Sequence, residues 1–559
     1  MTEGPTRDGR WPAVDRRIIG GDLLAGITLG LLLVPQSMAY AQLAGLPPVH
    51  GLYAALLPVV VGALAGWCHQ LQTGPVALTA IVVAGTLAPL AEAGSAAYVG
   101  LAAVLALLVG VIRILLGLLH AADLTRLVSH PVIAGFTAAA ALVIAATQLP
   151  ALTGGGRGTA ASPVVAAVAA IPTAAPATLA MGLGCLVALL LLRRWPRWPG
   201  ALLVMAGATG IAAFGWYPGA VVGPIPAGLP SLVLPAFDWA TVQALVPGAL
   251  LVTVIGFAEV LSVTRSAALR TGQRPDLDRE LVGQGAAALA AGATGGFPPS
   301  GSISRSSLAL TLGARTALAA VVSGVVVAVV LLGGTGLLAP LPLASLAALV
   351  VAAVLPLLDP RPLWRAWRAH PHDGAAAVIT VAATLLTAPH LEIGFAIGTA
   401  TAIGLFLWRL TRPGVADCAR HPDGSWRDWR RMALTPSAEV AVLRPDMRLC
   451  FTSAAAIEAA VHRAVAERPA LRAIVFACEG VNEIDATGCE TLAALLGALR
   501  DRGVMIAIAG LKTPVEQAAE RADALAGCPA TDRFRTTDAA VAALRVRLCL
   551  EPQPWDAPG

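Results

Sequence analysis

From residue 18 to residue 410 the chain repeats one pattern: an apolar run of roughly membrane-spanning length, then a short arginine cluster or a Gly/Pro break. A helix needs about 20 predominantly apolar residues to cross a bilayer. Candidate spans lie at 21–39, 50–67, 75–91, 97–119, 131–149, 176–193, 200–216, 243–264, 281–296, 302–313, 316–335, 339–357, 374–389 and 392–410. This predicts an α-helical polytopic membrane protein of fourteen spans, two of them unusually short. Composition agrees, with 57% hydrophobic and 13% charged residues, where soluble domains carry about 25% charged. Residues 415 to 559 depart from the pattern, since acids and bases are spread freely there. The chain therefore divides into a cytosolic N-terminal segment (1–17), a transmembrane domain (18–412), a linker (413–437), a polar domain (438–549) and a tail (550–559).

Arginine placement sets the expected orientation, because cytoplasmic loops are the richer in Lys and Arg. With Arg7, Arg10, Arg16 and Arg17 inside, the even-numbered connections should be basic. They carry Arg126, RRWPRW (193–198), RSAALRTGQR (265–274), Arg315, RPLWRAWR (361–368) and WRLTR (408–412), whereas 217–242 has no basic residue. Arg157, in a Gly-rich loop, is the exception. Both termini are thus expected in the cytosol. The first apolar run follows Arg16 and Arg17 and leads into further spans without a cleavage site, so it is expected to be retained.

Several function classes fall away. The formal net charge of +5 comes from membrane-flanking clusters and not from a basic face or arm, which argues against nucleic acid as a partner. The eight cysteines are scattered, with no CxxC or zinc-type spacing, and are expected to be reduced, cytosolic and structural, with no metal site. No GxxxxGK[ST] loop is present to bind nucleotide. An enzyme is not expected, nor is a cofactor.

The breaks constrain function more than the spans do. QLQTGPVALTA (70–80) and GGFPPSGSISR (295–305) each run from an extended Gly/Pro segment into a short apolar helix. Such a pair at corresponding places in two halves points to an inverted-repeat transporter with its binding site near the bilayer midplane. They are the third and tenth spans, as a seven-plus-seven repeat requires. Irregular backbone survives at that depth only where protein or a watery cavity satisfies it, and two facing helix starts attract an anion. Arg305, with the hydroxyls of Ser302 and Ser304, would stand beside that anion. Read locally, the same stretch is equally an external loop with Arg305 as a snorkelling anchor, and the matching break at 73–76 favours the site.

ITLGLLLVPQSMAYAQLAGLPPVHGLYAALLP (27–58) closely resembles the signature of the sulfate permease (SulP) family, whose vertebrate relatives include pendrin and the motor protein prestin. DRELVGQGAAALAAGATGGFPPSGSISRSSLALTLGART (278–316) is similar to that family's second block, and IVFACEGVNEIDATGCETLAALLGAL (474–499) to its C-terminal STAS domain. The resemblance implies a core of spans 1–4 and 8–11, a gate of spans 5–7 and 12–14, an anion held between the half-helices of spans 3 and 10, elevator movement, and a homodimer. At matching positions, Gln36 and Tyr40 of the first span, Val76 and Ala77 at the start of the third, and Ser304 and Arg305 at the start of the tenth would line the pocket. Read alone, Gln36 after Pro35 either faces a cavity or bonds freed carbonyls, Tyr40 also suits a membrane interface, and Val76 also suits simple packing.

Glu259, in ALLVTVIGFAEVLSVT (249–264), is an ionisable group inside a span and so a functional candidate; the plain alternative is a shallow acid paired with Arg265. Members of the family often carry an acid in this span beside the substrate, associated with cation coupling. Sodium-coupled relatives add a hydroxyl one turn later, where this chain has Val263, with Thr264 one residue off. That departure favours a proton over sodium as the coupling ion. In the polar domain, alternating strand and helix patterns from 438 onward predict a small α/β fold. DATG (485–488) resembles the motif that presents a phosphorylatable hydroxyl in STAS relatives, but Ala486 stands at the modified position, which leaves Thr487 as the expected helix cap.

These observations lead to a bacterial inner-membrane secondary transporter for a small inorganic oxyanion or carboxylate, proton-coupled, in a lipid bilayer and homodimeric. The alternatives are a sodium-coupled bicarbonate or other anion symporter, a passive anion channel, and a STAS-based membrane scaffold. The arginine pattern makes a direct prediction: in a cysteine-depleted background, cysteines introduced at positions 230 and 270 should label from opposite membrane faces. Labelling from one face refutes the fourteen-span topology.

Overall fold

The structure, a computed structural model, describes residues 16–123, 128–155, 165, 173–195, 199–232, 235, 238–272, 274–412 and 414–550. Arg7, Arg10, Arg126, Arg157, residues 196–198 and the tail from 551 lie outside the described residues. Two compact units are present, Met1–Ala402 and Ile403–Gly559.

In the first unit, apolar sequence becomes α1 (Arg16–Leu43), α2 (Pro48–Ala65), α3 (Ala77–Leu87), α4 (Ala96–Leu118), α5 (His130–Thr153), α6 (Pro176–Leu192) and α7 (Gly200–Ala213). The second half supplies α8 (Trp239–Thr271), α9 (Leu277–Ala293), α10 (Ile303–Thr311), α11 (Leu318–Val329, continued by a π-turn at Val330–Gly334), α12 (Leu343–Val354), α13 (Arg361–Ala369), α14 (Pro371–Thr387) and α15 (Leu391–Leu410), the last crossing into the second unit. Without α13, a short helix with exposed Trp364 and Trp367, the described residues hold seven apolar helical segments in each half. Among the described residues, eight helices are long and apolar enough to cross a membrane. The breaks explain the shortest, α3 with 11 residues and α10 with 9.

Packing sorts the helices into two groups. α4 lies along α9, α9 on α2, α11 on α1 and α8 on α3, while α5 packs with α6, α12 and α14, and α12 also with α6. The α4–α9 contact is close because Gly110 and Gly285 oppose each other. A Cβ on Gly110 would stand 2.9 Å from the Gly285 carbonyl oxygen, and one on Gly285 2.8 Å from that of Gly110. Small residues at such positions let helices approach where lipid offers no competing hydrophobic drive. Phe395 of α15 meets Phe136 of α5 edge-on, with centroids 5.3 Å apart.

Two buried acids, neither singled out by the sequence reading, hold the backbone around the breaks. Glu280 accepts from the amides of Trp67 (2.9 Å) and Cys68 (2.8 Å) and from Gln284 Nε2 (3.0 Å). Gln284 Nε2 also donates to Thr73 Oγ1 at 2.9 Å. Asp22 accepts from the Arg315 amide at 2.7 Å and from the Thr316 hydroxyl, just after α10. Both carboxylates are inaccessible to solvent, and backbone donors satisfy them where water cannot.

The second unit is an α/β domain. Its six-stranded sheet runs β4 (Trp426–Asp428), β3 (Val415–Arg420), β5 (Val440–Pro445), β6 (Ala473–Ala477), β7 (Met505–Ala509), β8 (Arg533–Phe534). β5 to β8 are parallel, and β3 is antiparallel to both its neighbours. Leu443, Ile474, Phe476 and Ile508 point to one face, where they meet α16 (Ala454–Glu467), α17 (Ala486–Asp501) and α18 (Thr513–Arg521); Val442, Val475 and Ala509 point to the other, under α19 (Thr537–Arg547). Covering both faces gives the near-continuous apolar strands the sequence shows.

Two expectations for this unit change. The stretch 413–437, expected to be a linker, contributes β3 and β4, and Asp417 within it pairs with the buried Arg468 at 2.8 Å. Its polar composition hid strands whose pairing is long-range. Asp485, not Thr487, caps α17, accepting from the Gly488 amide at 2.8 Å, because Asp485 is the residue with extended backbone before the first turn; Thr487 is exposed. The cysteines are free thiols. Burial pushes the Cys478 thiol up to about 12 and those of Cys418 and Cys528 up to about 11, so all three stay protonated and unreactive.

Glu280→Ala should leave the Trp67 and Cys68 amides without their acceptor, at about 1–3 kcal/mol for each buried donor, and lower the thermal midpoint in detergent. Glu280→Gln keeps one acceptor oxygen and should lose less. Equal midpoints for wild type and the alanine variant remove this role from Glu280.

Candidate binding site

The two Gly/Pro breaks meet. β1 (Thr73–Gly74) and β2 (Ser300–Gly301) pair antiparallel, Thr73 opposite Gly301 and Gly74 opposite Ser300. Around this pair the Ser302 amide donates to the Gln72 carbonyl at 3.0 Å, and the Gln72 amide to Ser306 Oγ at 2.9 Å. Each break thus satisfies backbone groups of the other, as depth in a bilayer demands. Antiparallel pairing also brings the starts of α3 and α10 together, so the positive ends of two helix dipoles face a common region.

Arg305 lies on the first turn of α10 and is 2% exposed. Its Nη1 donates to the Pro75 carbonyl at 3.0 Å and to Gln36 Oε1 at 3.4 Å. Its Nε and Nη2 are buried with no partner. A desolvated guanidinium with two unspent donors at a pair of helix N-termini is suited to a carboxylate or oxyanion.

The other expected residues are distributed around it. Gln36 is half-buried and reaches Arg305. Tyr40 is 7% exposed, which places it inside the helix bundle and not at a membrane interface. Val76, in extended conformation, precedes α3, and Ala77 is the first residue of that helix. Ser302 is the N-cap of α10, accepting from the Arg305 amide at 3.3 Å, so its hydroxyl is already engaged by the helix. Ser304 is exposed, with its hydroxyl 3.3 Å from that of Ser302. Glu259 contacts Ser300, the hydroxyl lying 3.4 Å from Oε2 and also donating to the Gly256 carbonyl at 3.0 Å. Among the described residues it forms no ion pair with Arg265. Thr264 is fully buried with an unpartnered hydroxyl; five residues on, it lies about 140° round the helix from Glu259.

Besides Asp22 and Glu280, a buried arginine escaped the sequence reading. Arg113, toward the C-terminal end of α4, is fully buried and donates from Nη1 to the Pro299 carbonyl (3.0 Å) and from Nη2 to the Val252 carbonyl (3.1 Å). A lone arginine within ALLVGVIRILLG (106–117) was the available signal.

Comparison with known proteins identifies the family and the fold. The sulfate permease family profile matches residues 19–380, and the STAS domain profile matches 432–536. A Mycobacterium tuberculosis protein named a probable sulfate transporter is 33% identical over 554 residues, covering 95% of this chain and 96% of its own. The murine Solute Carrier 26 family member A9 anion transporter, in its inward-facing state, superposes with a TM-score of 0.84 at 23% identity, over 96% of this chain and 92% of that one. The transmembrane domain of the cyanobacterial bicarbonate transporter BicA gives 0.58 at 23% identity, over 70% of this chain and 99% of that one. At such identities the two structures speak for the fold.

Arg305→Ala should weaken anion binding strongly, and Arg305→Lys should keep part of it, since lysine retains the charge but not the planar fork. Ser304→Ala should change affinity by no more than about 0.5–1.5 kcal/mol, the worth of one hydrogen bond. Titration calorimetry in detergent reads all three. Wild-type affinity in Arg305→Ala refutes the site.

Proposed function

The chain belongs to the sulfate permease family of anion transporters, and on that premise we propose that it is a secondary active transporter of a small oxyanion or carboxylate, coupled to protons and working by elevator movement. The observation that carries the reading is Arg305: a buried cation with two unpartnered donors, where two broken spans start. The core and gate grouping of helices supports a movement in which α1–α4 and α8–α11 carry the site past the rest. Homodimeric assembly in a bacterial inner membrane, with both termini cytosolic, completes the proposal and follows from the family resemblance and the arginine pattern.

Glu259 is the proposed coupling residue. Glu259 touches Ser300, at the start of the strand that leads into the helix of Arg305, so in this proposal an ionised carboxylate there competes with substrate for the guanidinium's field and a proton on Glu259 frees the guanidinium for the anion. Binding and protonation then favour each other, which is the linkage symport needs. Sodium has less support, because Val263 occupies the position one turn on and Thr264 lies on another face.

The decisive experiment is uptake of labelled sulfate, bicarbonate and a dicarboxylate into proteoliposomes under imposed pH and sodium gradients. Accumulation driven by an inward proton gradient supports the proposal; fluxes that only follow the anion's own gradient indicate a channel. Glu259→Gln, which mimics the protonated acid, should bind anion at least as well as wild type, lose the pH dependence of affinity and fail to accumulate substrate. Full proton-driven accumulation by this variant removes Glu259 from coupling.

A further inference from the structure

Arg113 stands directly behind the break of the tenth span. One guanidinium nitrogen holds the carbonyl of Pro299, the residue before β2, and another holds the carbonyl of Val252 on α8. Gly256, one turn further along α8, makes room for it: a Cβ there would fall 2.4 Å from Arg113 Nη2 and 3.0 Å from Ser300 Oγ. Arg113 therefore grips the turn of α8 next to the one whose carbonyl binds Ser300, the residue that touches Glu259.

The charges in this region do not cancel. No carboxylate comes within ion-pair distance of Arg113 among the described residues, and its two partners are neutral carbonyls. Glu259 is the acid placed between Arg113 and Arg305 along the chain: it touches Ser300, which follows the Pro299 held by Arg113 and begins the strand that leads into the helix of Arg305. Glu280 does not join them, being satisfied by the Trp67 and Cys68 amides. One acid thus serves two buried arginines, leaving one net positive charge when Glu259 is ionised and two when it carries a proton. An uncompensated buried charge is strongly unfavourable, so a protonated site is best matched by a dianion.

We propose that Arg113 is a specificity-determining positioning residue: a fixed second cation that never touches substrate, holds β2 against α8, and together with protonated Glu259 tunes the site to a divalent oxyanion or dicarboxylate over a monovalent anion. The proposal rests on the anion site centred on Arg305 and deepens it by naming the charge class of the substrate. A remote positive charge acts on a dianion with twice the energy it exerts on a monoanion. Removing it should therefore change their ratio, which loss of a merely structural clamp would not do.

The test measures affinities of the purified full-length protein for sulfate, oxalate, nitrate and formate at one acidic pH, in wild type, Arg113→Lys, Arg113→Gln and Arg305→Ala. Arg113→Gln keeps a polar amide of shorter reach without the charge, and Arg113→Lys keeps the charge without the fork. Arg113→Gln should lower the dianion-to-monoanion affinity ratio by on the order of tenfold, and Arg113→Lys should hold it near wild type even if its thermal midpoint falls. Equal loss for both anion classes in Arg113→Gln, or the same ratio change in Arg113→Lys, overturns the charge role. If Arg113→Gln does not fold, Arg113→Lys against wild type still decides, since a changed ratio with charge retained contradicts the proposal. Wild-type affinities for all four anions in Arg305→Ala refute the underlying site separately.

Discussion

Two short strands of backbone, Thr73–Gly74 and Ser300–Gly301, pair with each other inside the helical unit, and the arrangement of the site follows from that pairing. Backbone at bilayer depth finds no water, so a span can stop being helical there only if another segment takes its hydrogen bonds. Each break does this for the other, with the contacts of Gln72 to Ser302 and Ser306 extending the exchange at one end. Because the pairing is antiparallel, the two helices that follow begin near one place. A guanidinium on the first turn of one, Arg305, then reaches the Pro75 carbonyl ahead of the other.

Buried charges around this pair fall into two kinds. Asp22 and Glu280 spend their oxygens on amides and neighbouring side chains, and they fasten the chain just after the tenth span and just before the third. Arg113 and Arg305 spend some of their nitrogens on carbonyls, but Arg113 Nε and Arg305 Nε and Nη2 remain unpartnered. Acids whose oxygens are all taken by local donors are structural. Cations with donors to spare are the groups on which the proposed anion site rests, and Glu259 touches Ser300 between them.

The STAS unit obeys soluble-protein rules. Its parallel strands are covered on both faces, and its buried thiols are inert. Asp485 both caps α17 and accepts from the Phe451 amide at 3.1 Å. A side chain committed to two backbone donors holds the DATG turn in place, with Ala486 and Thr487 exposed.

By itself the sequence determined the class of the protein, the places where its spans break and the two-domain division, because apolar run length, Gly/Pro interruptions and charge density are local properties. It also marked Arg305, Gln36 and Glu259, since a polar group within an apolar run stands out without any knowledge of its neighbours. Only the tertiary structure decided which of these groups meet. Pairing between residues 73 and 301 is long-range, and no local pattern says that Ser302 spends its hydroxyl on capping or that Glu259 faces Ser300 and not Arg265. Arg113 and Glu280 were visible as letters, but their roles depend on carbonyls and amides contributed by helices far away in the chain. The strands at 415–420 and 426–428 stayed hidden for the same reason: their stability comes from pairing with a sheet and from the Asp417–Arg468 contact, not from their own composition.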